Sequence, residues 1–161
     1  MNQAEIRLAP MTAELYHSFF REYEKDPDVF LPGQAYFSYT YSEEKVEAYI
    51  RRQKELNRIP LAIFRGDEVV GEIIIKNIEA QRAATIGITL KSAKYKDQGI
   101  GTEAERLAAR FVFDELDIPV LYADTVQANT RSQHVLEKAG FVLVREDQDF
   151  KYYQATRFSH P

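Results

Sequence analysis

The feature of this sequence that most constrains its fold is a polar loop with two glycines that leads directly into a helical segment. The loop covers residues 95–104, YKDQGIGTEA, and the helix is predicted over 102–116. Gly99 and Gly101 allow a sharp turn and leave no Cβ atom between the loop amides and a ligand. A helix that begins here also presents unpaired N–H groups and the positive end of its dipole. The loop is therefore predicted to bind an anion, best a phosphate or pyrophosphate.

The same spacing admits other interpretations, of which the simplest is a turn that starts the helix and binds nothing. Residues 99–104 also fit G-x-G-x-x-A, the dinucleotide-binding fingerprint, and Asp124 follows at a suitable distance. That fingerprint requires a strand that ends at its first glycine, whereas the last apolar strand residue here is Leu90 and a polar run, 91–98, intervenes. The chain after Asp124 is also too short for the second half of such a fold. A P-loop is excluded because no Gly-Lys-Ser/Thr follows.

Length and composition indicate one folded domain over residues 1–161. The chain is 45% hydrophobic and 12% aromatic, which argues against disorder. Its net charge is −4, so the basic surface typical of a nucleic-acid-binding protein is not expected. The sequence contains no cysteine, which excludes disulfides, thiolate metal sites and a cysteine acyl-enzyme. With no recognisable signal peptide and no apolar run long enough to span a bilayer, we expect a cytoplasmic protein that binds neither nucleic acid nor membrane.

Hydrophobic periodicity and turn residues predict a first strand followed by two helices, three strands, a helix, a strand, a helix and two closing strands. Strands are predicted at 5–9, 60–64, 68–78, 84–90, 118–125, 141–144 and 150–158, and helices at 13–24, 42–57, 102–116 and 130–139. Thr12 and Asn129 are the predicted N-caps of the first and last helices. Between the first two helices lies an irregular segment, 25–41, that is rich in aromatic residues and is expected to pack over a core or a cleft. The order of elements indicates a single mixed α/β domain.

The second informative segment is VQANTRSQHVLEKAGF, residues 126–141. It resembles the N-x-x-S…(L/Y)-x-K-x-G-F segment of the GNAT N-acetyltransferases, most of all in the branch of ribosomal-protein and spermidine N-acetyltransferases. The upstream Lys96-x-x-Gly99-x-Gly101 resembles the (Arg/Gln)-x-x-Gly-x-(Gly/Ala) loop that binds the acyl-CoA pyrophosphate in that family. The two motifs occur in the family's order and spacing, and the resemblance covers roughly residues 60–158. It implies the GNAT fold, one mixed, mostly antiparallel sheet of about six or seven strands flanked by about four helices, with strands that part to admit acyl-CoA.

The resemblance implies acetyl-CoA as co-substrate, no metal, and a donor site built from three parts of the chain. The expected residues are Ile88, Thr89 and Leu90 on a strand, Lys96, Asp97, Gln98, Gly99, Ile100, Gly101 and Thr102 in the loop, and Asn129 and Ser132 at the start of the last helix. Backbone N–H groups of residues 88–90 would contact the thioester carbonyl, where the strands around Gly87 and Thr125 part. From the residues alone, Asn129 and Ser132 could equally serve only to start the helix, because Asn is a preferred N-cap.

The catalytic residues are expected to differ from a common family pattern at one position. In many GNAT enzymes a tyrosine on the last helix is the proposed acid, and the corresponding residue here is Leu136. Ser132 matches the serine that is assigned this role in the ribosomal-protein branch, so Ser132 is the predicted general acid. Glu72 and Glu146 are predicted candidates for the general base, with Asp149 as a third, and a water relay is an equal alternative.

These expectations predict an N-acetyltransferase that moves an acetyl group directly from acetyl-CoA to a primary amine in a ternary complex. The amine could be a protein N-terminus, a polyamine or another small amine, and a homodimer is compatible with the sequence. An acidic cluster around the irregular segment could attract such a cationic acceptor; its members are Glu22, Glu24, Asp26, Asp28, Glu43, Glu44 and Glu47. The alternative is a non-catalytic acyl-CoA-binding sensor of the same fold, which Leu136 favours and the Asn129/Ser132 pair disfavours.

Overall fold

The strands and helices of this protein are those of a computed structural model that describes residues 4–158. The strands are β1 (Ile6–Pro10), β2 (Ile59–Arg65), β3 (Glu68–Glu79), β4 (Ala83–Leu90), β5 (Val120–Val126), β6 (Val142–Glu146) and β7 (Phe150–Thr156). The α-helices are α1 (Ala13–Arg21), α2 (Glu43–Glu55), α3 (Ile100–Arg110) and α4 (Thr130–Lys138). Short 3-10 turns occur at Pro27–Val29 and Ala93–Tyr95.

Polar side chains determine where three of the helices begin. The Oγ1 atom of Thr12 accepts the backbone N–H of Leu15 at the start of α1 (3.1 Å), and Ser42 and Asn129 make the equivalent bonds at α2 and α4. Each bond satisfies one of the N–H groups that a helix leaves unpaired at its start. The N-caps predicted at Thr12 and Asn129 are therefore confirmed. Helix α3 begins without a side-chain cap at Gly99, whose φ of 77° lies in the left-handed region that glycine tolerates best.

The segment between α1 and α2 is irregular, as the sequence predicts, but it begins earlier than expected. The helix predicted over 13–24 ends at Arg21 because the following chain turns toward the sheet. There the N–H of Glu24 donates to the carbonyl of Lys91 at the end of β4 (2.9 Å). The irregular segment is thereby joined to the edge of the sheet where β4 ends.

The helix predicted over 102–116 begins at Ile100, and its last turn, Phe111–Glu115, is π-helical. Its alanines Ala104 and Ala108 are fully buried, which allows α3 to approach β1, β3 and β4 closely. This helix therefore covers one face of the sheet.

The seven strands of residues 4–158 form one mixed sheet in the order β1-β2-β3-β4-β5-β7-β6. All neighbouring strands are antiparallel except β4 and β5. Helix α3 connects these two strands, as parallel neighbours require a crossover connection. The mostly antiparallel sheet with its four flanking α-helices confirms the predicted fold class.

The parallel pair β4–β5 is hydrogen-bonded over only part of its length. The last paired residues are Ile86 and Ala123. Residues 87–90 of β4 and 124–126 of β5 have no partner on the edges where the two strands face each other. On its other edge, β4 remains paired with β3 up to its last residue. The two strands therefore part where the sequence predicts that they do.

Two hydrophobic clusters cover opposite faces of the sheet. Because successive side chains of a strand alternate between faces, Ile73 and Ile75 of β3 point toward α3, and Glu72 points to the other face. There the hydroxyl of Tyr49 on α2 donates to Glu72. The cluster under α3 and α4 is mostly aliphatic, whereas the cluster between α1 and α2 is mostly aromatic, with Tyr16, Phe19, Phe20 and Val46 at its centre.

Gly71 on β3 is a glycine at which a side chain would meet the sheet backbone. A Cβ atom there would lie 2.8 Å from the Thr89 carbonyl oxygen and 3.0 Å from Cδ1 of Ile63. We expect Gly71→Ala to lower the free energy of unfolding by about 1–3 kcal/mol, the range for overpacking a close-packed site. Thermal unfolding followed by far-UV circular dichroism measures the change.

Gly87→Ala on β4 is the matched control, because the atom nearest to its added Cβ would be the flexible Nζ of Lys76, 4.0 Å away. This variant is expected to unfold at or slightly above the wild-type temperature, since alanine restricts the unfolded chain more than glycine does. Equal melting temperatures for Gly71→Ala and the wild type would contradict the close approach of β3 and β4 at this position.

Candidate functional site

A cleft of about 370 Å³ opens where β4 and β5 part. Its walls come from both strands, from α3 and α4, and from the irregular segment between α1 and α2. The strand residues that line it are Ile86, Gly87, Ile88, Thr89 and Leu90 of β4, Ala123, Asp124, Thr125 and Val126 of β5, and Phe150 of β7. Since the end of β4 has no strand partner on this side, its backbone groups are available to a ligand. The cleft thus contains all three strand residues that the sequence predicts for the donor site.

A second cavity, of about 470 Å³, adjoins the cleft at the starts of α3 and α4. Six of the predicted loop residues line it, namely Lys96, Asp97, Gly99, Ile100, Gly101 and Thr102. Gln98 does not; its side-chain amide donates to the carbonyl of Lys94 (2.7 Å) and so holds the loop. Two helix N-termini border this cavity, each with unpaired N–H groups and a positive dipole end. The cavity is therefore suited to phosphate groups.

Carboxylates of the irregular segment reach the cations beside this loop. The Nζ atom of Lys96 forms ion pairs with Asp26 and with Oδ2 of Asp28 (2.9 Å to Asp28). The Nε atom of Arg131 on α4 lies 3.1 Å from Oδ1 of Asp97, and its Nη1 lies 3.6 Å from Asp28. A phosphate group that enters the cavity would have to compete with these carboxylates for the two cations.

The acidic cluster that the sequence offers for a cationic acceptor is thus partly neutralised within the protein. Besides Asp26 and Asp28, Glu22 is paired, with its Oε2 2.7 Å from Nζ of Lys91. Glu43 and Glu44 lie in the first turn of α2, where the helix dipole favours a negative charge. Attraction of an acceptor by the whole cluster stays a prediction.

Gly101 allows α3 to pack closely against α4. A Cβ atom added there would lie 3.2 Å from Cγ1 of Val135 on α4 and 3.9 Å from Cδ1 of Ile88 on β4. In contrast, no atom lies within 4 Å of a Cβ atom built on Gly99. The sequence suggests that both glycines lack a side chain in order to make room for a ligand. At Gly101 the space is taken by α4 instead.

Asn129 and Ser132 bring an amide and a hydroxyl to the cleft at the start of α4. The Oδ1 atom of Asn129 accepts the N–H of Ser132 (3.1 Å), so Asn129 is the N-cap of the helix. The side-chain NH₂ group of Asn129 takes no part in this bond, so Asn129 can cap the helix and contact a ligand at the same time. Leu136 also lines the cleft, and it presents an aliphatic side chain where the resemblance would place a tyrosine.

The three candidates for a general base have different surroundings. Glu72 is 3% exposed; its Oε1 accepts a hydrogen bond from the hydroxyl of Tyr49 (2.8 Å), and its Oε2 has no hydrogen-bond partner among the described residues, 4–158. Burial raises the pKa of Glu72, against the opposing effect of nearby tyrosine hydroxyls. Glu72 is not part of the cleft wall. Its cross-strand neighbour on β4 is Thr89, and Thr89 lines the cleft. Glu146 and Asp149 are exposed near the turn between β6 and β7, and neither lines the cleft.

Glu105, which is not among the residues predicted from the sequence, is a carboxyl group buried in the wall of the cleft. Glu105 lies on α3, is 2% exposed, and its Oε2 has no hydrogen-bond partner within residues 4–158. Burial raises its pKa to about 8. The helical spacing of α3 could have indicated that Glu105 is buried, because residue 105 lies between Gly101 and Ala108 on the inner face of the helix.

Within residues 4–158, no group of three or more His, Asp or Glu side chains is placed to hold a metal ion. None of the helices in this range is long and apolar enough to cross a membrane.

Comparisons with known proteins agree on one family. The family model described as an acetyltransferase (GNAT) domain matches residues 5–142. The chain is 31% identical over 110 residues to the probable N-acetyltransferase YjcK of Bacillus subtilis (strain 168). The aligned region covers 66% of this chain and 60% of YjcK. YdaF of the same strain, whose name describes a ribosomal N-acetyltransferase, is 26% identical over 114 residues, or 70% of this chain and 62% of YdaF. The match thus spans roughly three fifths of each relative's length.

A solved structure shares the fold over nearly the whole chain. The aminoglycoside acetyltransferase AAC(6')-Ib, solved in a complex that contains acetyl-CoA, aligns with a TM-score of 0.77 at 17% identity. The alignment covers 96% of this chain and 95% of that one. At this identity the likeness shows the fold alone.

Thr102 lies in the first turn of α3 and borders the second cavity. We expect Thr102→Asp to weaken acetyl-CoA binding by about tenfold or more, because a carboxylate there repels the phosphate groups that the helix N-terminus attracts. The fold should be retained, since an acidic side chain is favourable at the start of a helix. Isothermal titration calorimetry with acetyl-CoA measures the change.

Thr102→Asn is the matched control, because it has the shape of the Asp variant without its charge. It should bind acetyl-CoA nearly as tightly as the wild type. Equal affinity of the Asp and Asn variants would mean that the phosphates do not lie at this helix start.

Proposed function

The chain belongs to the GNAT acetyltransferase family, and we propose that it moves an acetyl group directly from acetyl-CoA to a primary amine within a ternary complex. The observation that carries this proposal is the cleft between β4 and β5, which adjoins the second cavity at the starts of α3 and α4. Between them, these two spaces offer suitable surroundings to the phosphates, the pantetheine arm and the thioester of acetyl-CoA.

The unpaired edge of β4 supports activation of the thioester carbonyl. Alternate N–H groups of residues 87–90 point toward the cleft, because the other edge of β4 is paired with β3. A backbone donor aimed at the developing oxyanion is worth about 3 kcal/mol. The pairing with β3 holds these donors in place, so little reorganisation is needed as the negative charge develops.

The reaction requires two proton transfers, and we assign them to residues on different secondary-structure elements. An ammonium group loses a proton before its nitrogen attacks the carbonyl carbon, and the sulfur of CoA gains a proton as the C–S bond breaks. Ser132 lines the cleft on the first turn of α4, and its hydroxyl is the proposed donor to the sulfur. Glu72 is the proposed base, acting through a relay past Thr89, and burial shifts its pKa toward the neutral range in which a base works best. Glu146 and Asp149 remain alternatives.

Carboxylates at the cleft support an amine as the acceptor. Asp124 lines the cleft and is exposed, whereas Asp26, which also lines the cleft, is already paired with Lys96. Carboxylates that line a cleft raise the local concentration of cations and so favour an ammonium group over an anionic acceptor. Tyr23 lines the same space and offers an aromatic ring, which can also attract a cation. Protein N-termini, polyamines and aminoglycosides are the acceptor classes that this arrangement and the names of the similar proteins suggest.

One observation favours a second candidate function, a sensor that binds acyl-CoA without catalysis. Leu136 is buried at the position where a catalytic tyrosine would be expected, so α4 offers no phenol to the cleft. Ser132 is the observation against this candidate, since it places a hydroxyl at the same cleft.

Release of CoA from acetyl-CoA, followed with a thiol reagent across a panel of polyamines, aminoglycosides and N-terminal peptides, separates the two functions. The proposal predicts that at least one amine class raises the rate well above the amine-free rate. Binding of acetyl-CoA without stimulation by any class would support the sensor. Failure to bind acetyl-CoA would overturn both.

Ser132→Ala is expected to lower kcat by at least about tenfold, while the Kd of acetyl-CoA changes little. General-acid assistance is typically worth about 10²–10⁴, and it acts mainly in the transition state. Asn129→Ala is the comparison variant; it should weaken donor binding and also lower the melting temperature, because it removes the cap of α4. A Ser132→Ala protein with near-normal kcat and a lower melting temperature would show that Ser132 only supports the start of α4.

A further inference from the structure

Glu105 is a buried acid that the proposed reaction does not use. Its side chain is 2% exposed, and its Oε2 atom has no hydrogen-bond partner in the part of the chain that the structure describes. Yet Glu105 lines the cleft between β4 and β5, so a ligand bound there would lie against this side chain. An unpaired buried polar group costs free energy, and a ligand that supplies its missing partner recovers that free energy on binding.

The geometry of α3 places the Glu105 carboxyl at the inner part of the cleft. Side chains of a helix lean toward its N-terminus, so Glu105 covers the turn that contains Gly101. A Cβ atom on Gly101 would contact Val135 and Ile88, which shows that this turn faces both α4 and β4. Glu105 lines the cleft and is not among the residues that line the second cavity, so its carboxyl is on the side of the arm rather than of the phosphates.

The surroundings of Glu105 are apolar on the elements that pack against α3, which are β1, β3, β4 and α4. Four aliphatic side chains of β4 and α4 line the same cleft, namely Ile86, Ile88, Val135 and Leu136. Tyr95 and Tyr153 are the titratable members of the hydrophobic cluster under α3, and the hydroxyl of Tyr95 donates to Glu68. No cation on these elements forms an ion pair with Glu105 within residues 4–158.

The charged groups that share the cleft with Glu105 are Asp26, Asp124, Lys96 and Arg131. The two cations are already paired with aspartates, Lys96 with Asp26 and Asp28 and Arg131 with Asp97. Burial without a compensating cation raises the pKa of Glu105 to about 8. At neutral pH the side chain is therefore mainly the neutral acid, which carries an O–H donor that a carboxylate lacks.

We propose that Glu105, as a neutral carboxylic acid, donates a hydrogen bond to a carbonyl oxygen of the acyl-pantetheine arm of acetyl-CoA. Glu105 is thus a residue that binds the co-substrate. This inference rests on the proposed function, because it takes acetyl-CoA as the ligand of the cleft. The arm carries amide and thioester carbonyls, which are acceptors, and a neutral acid is the form of Glu105 that complements them. Ionised Glu105 would place an unpaired negative charge against the same oxygens, so acetyl-CoA binding must weaken as this group loses its proton.

Isothermal titration calorimetry with acetyl-CoA from about pH 7 to about pH 9.5 tests the inference on the wild type, Glu105→Gln and Glu105→Leu. The phosphates of acetyl-CoA do not titrate in this range, because the second ionisation of a phosphate ester lies near pH 6. The wild-type Kd is expected to rise about fivefold or more above pH 8, where Glu105 ionises. Glu105→Gln keeps an N–H donor that does not titrate, so its Kd should match the neutral wild type and stay nearly flat with pH.

Glu105→Leu removes the donor at similar volume, so it should bind acetyl-CoA about five- to tenfold more weakly than the wild type at pH 7, without pH dependence. Its melting temperature without ligand should equal or exceed that of the wild type, since a buried unpaired polar group is gone. Equal Kd values for the Leu variant and the wild type at pH 7 would overturn the inference, as would the same pH dependence in the Gln variant and the wild type. The second comparison stands even if the Leu variant fails to fold. If all three proteins bind equally well, only the role of Glu105 fails; if none binds at any pH, the proposed function fails with it.

Discussion

The loss of pairing between β4 and β5 beyond Ile86 and Ala123 is the feature on which the rest of the molecule depends. Parallel neighbours need a crossover connection, and α3 provides it, so the start of α3 lies beside the end of β4. The turn that carries the chain from β4 into α3 contains Gly99 and borders the second cavity. One property of the topology thus brings an unpaired strand edge and a helix N-terminus together, which is why the cleft and the second cavity lie side by side.

Burial gives the carboxyl groups around the cleft different properties. Asp26 and Asp28 are paired with the loop cation Lys96, whereas Glu72 and Glu105 are buried without a cation, on opposite faces of the sheet. Burial raises the pKa of both glutamates, so the native state binds their protons more tightly than the unfolded chain does. Their contribution to stability is therefore most favourable below their ordinary pKa of 4.5 and declines as the pH rises toward the raised value, about 8 for Glu105. Such groups lower stability at neutral pH, which is understandable if they serve a ligand.

The sequence predicts those features that local chemistry decides, and it misses those that distant segments create. The turn at Gly99 and the cap at Asn129 follow from preferences of single residues, so both could be predicted. The contact of Gly101 with Val135 requires two helices to meet, and no local pattern encodes it. Glu105 lies at an inner-face position of α3, but a glutamate on a helix is ordinarily solvated, so the spacing alone did not mark it as buried.

Hydrogen–deuterium exchange of backbone amides, with and without saturating acetyl-CoA, tests most directly the claim that the donor lies in the cleft between β4 and β5. Exchange is predicted to slow in residues 87–90, at the end of β4, and in residues 99–103 and 129–132, at the starts of α3 and α4. Exchange should stay unchanged in β1 and β2, which β3 separates from β4 in the sheet. Protection confined to other segments, or no protection at a concentration that saturates binding, would contradict this account.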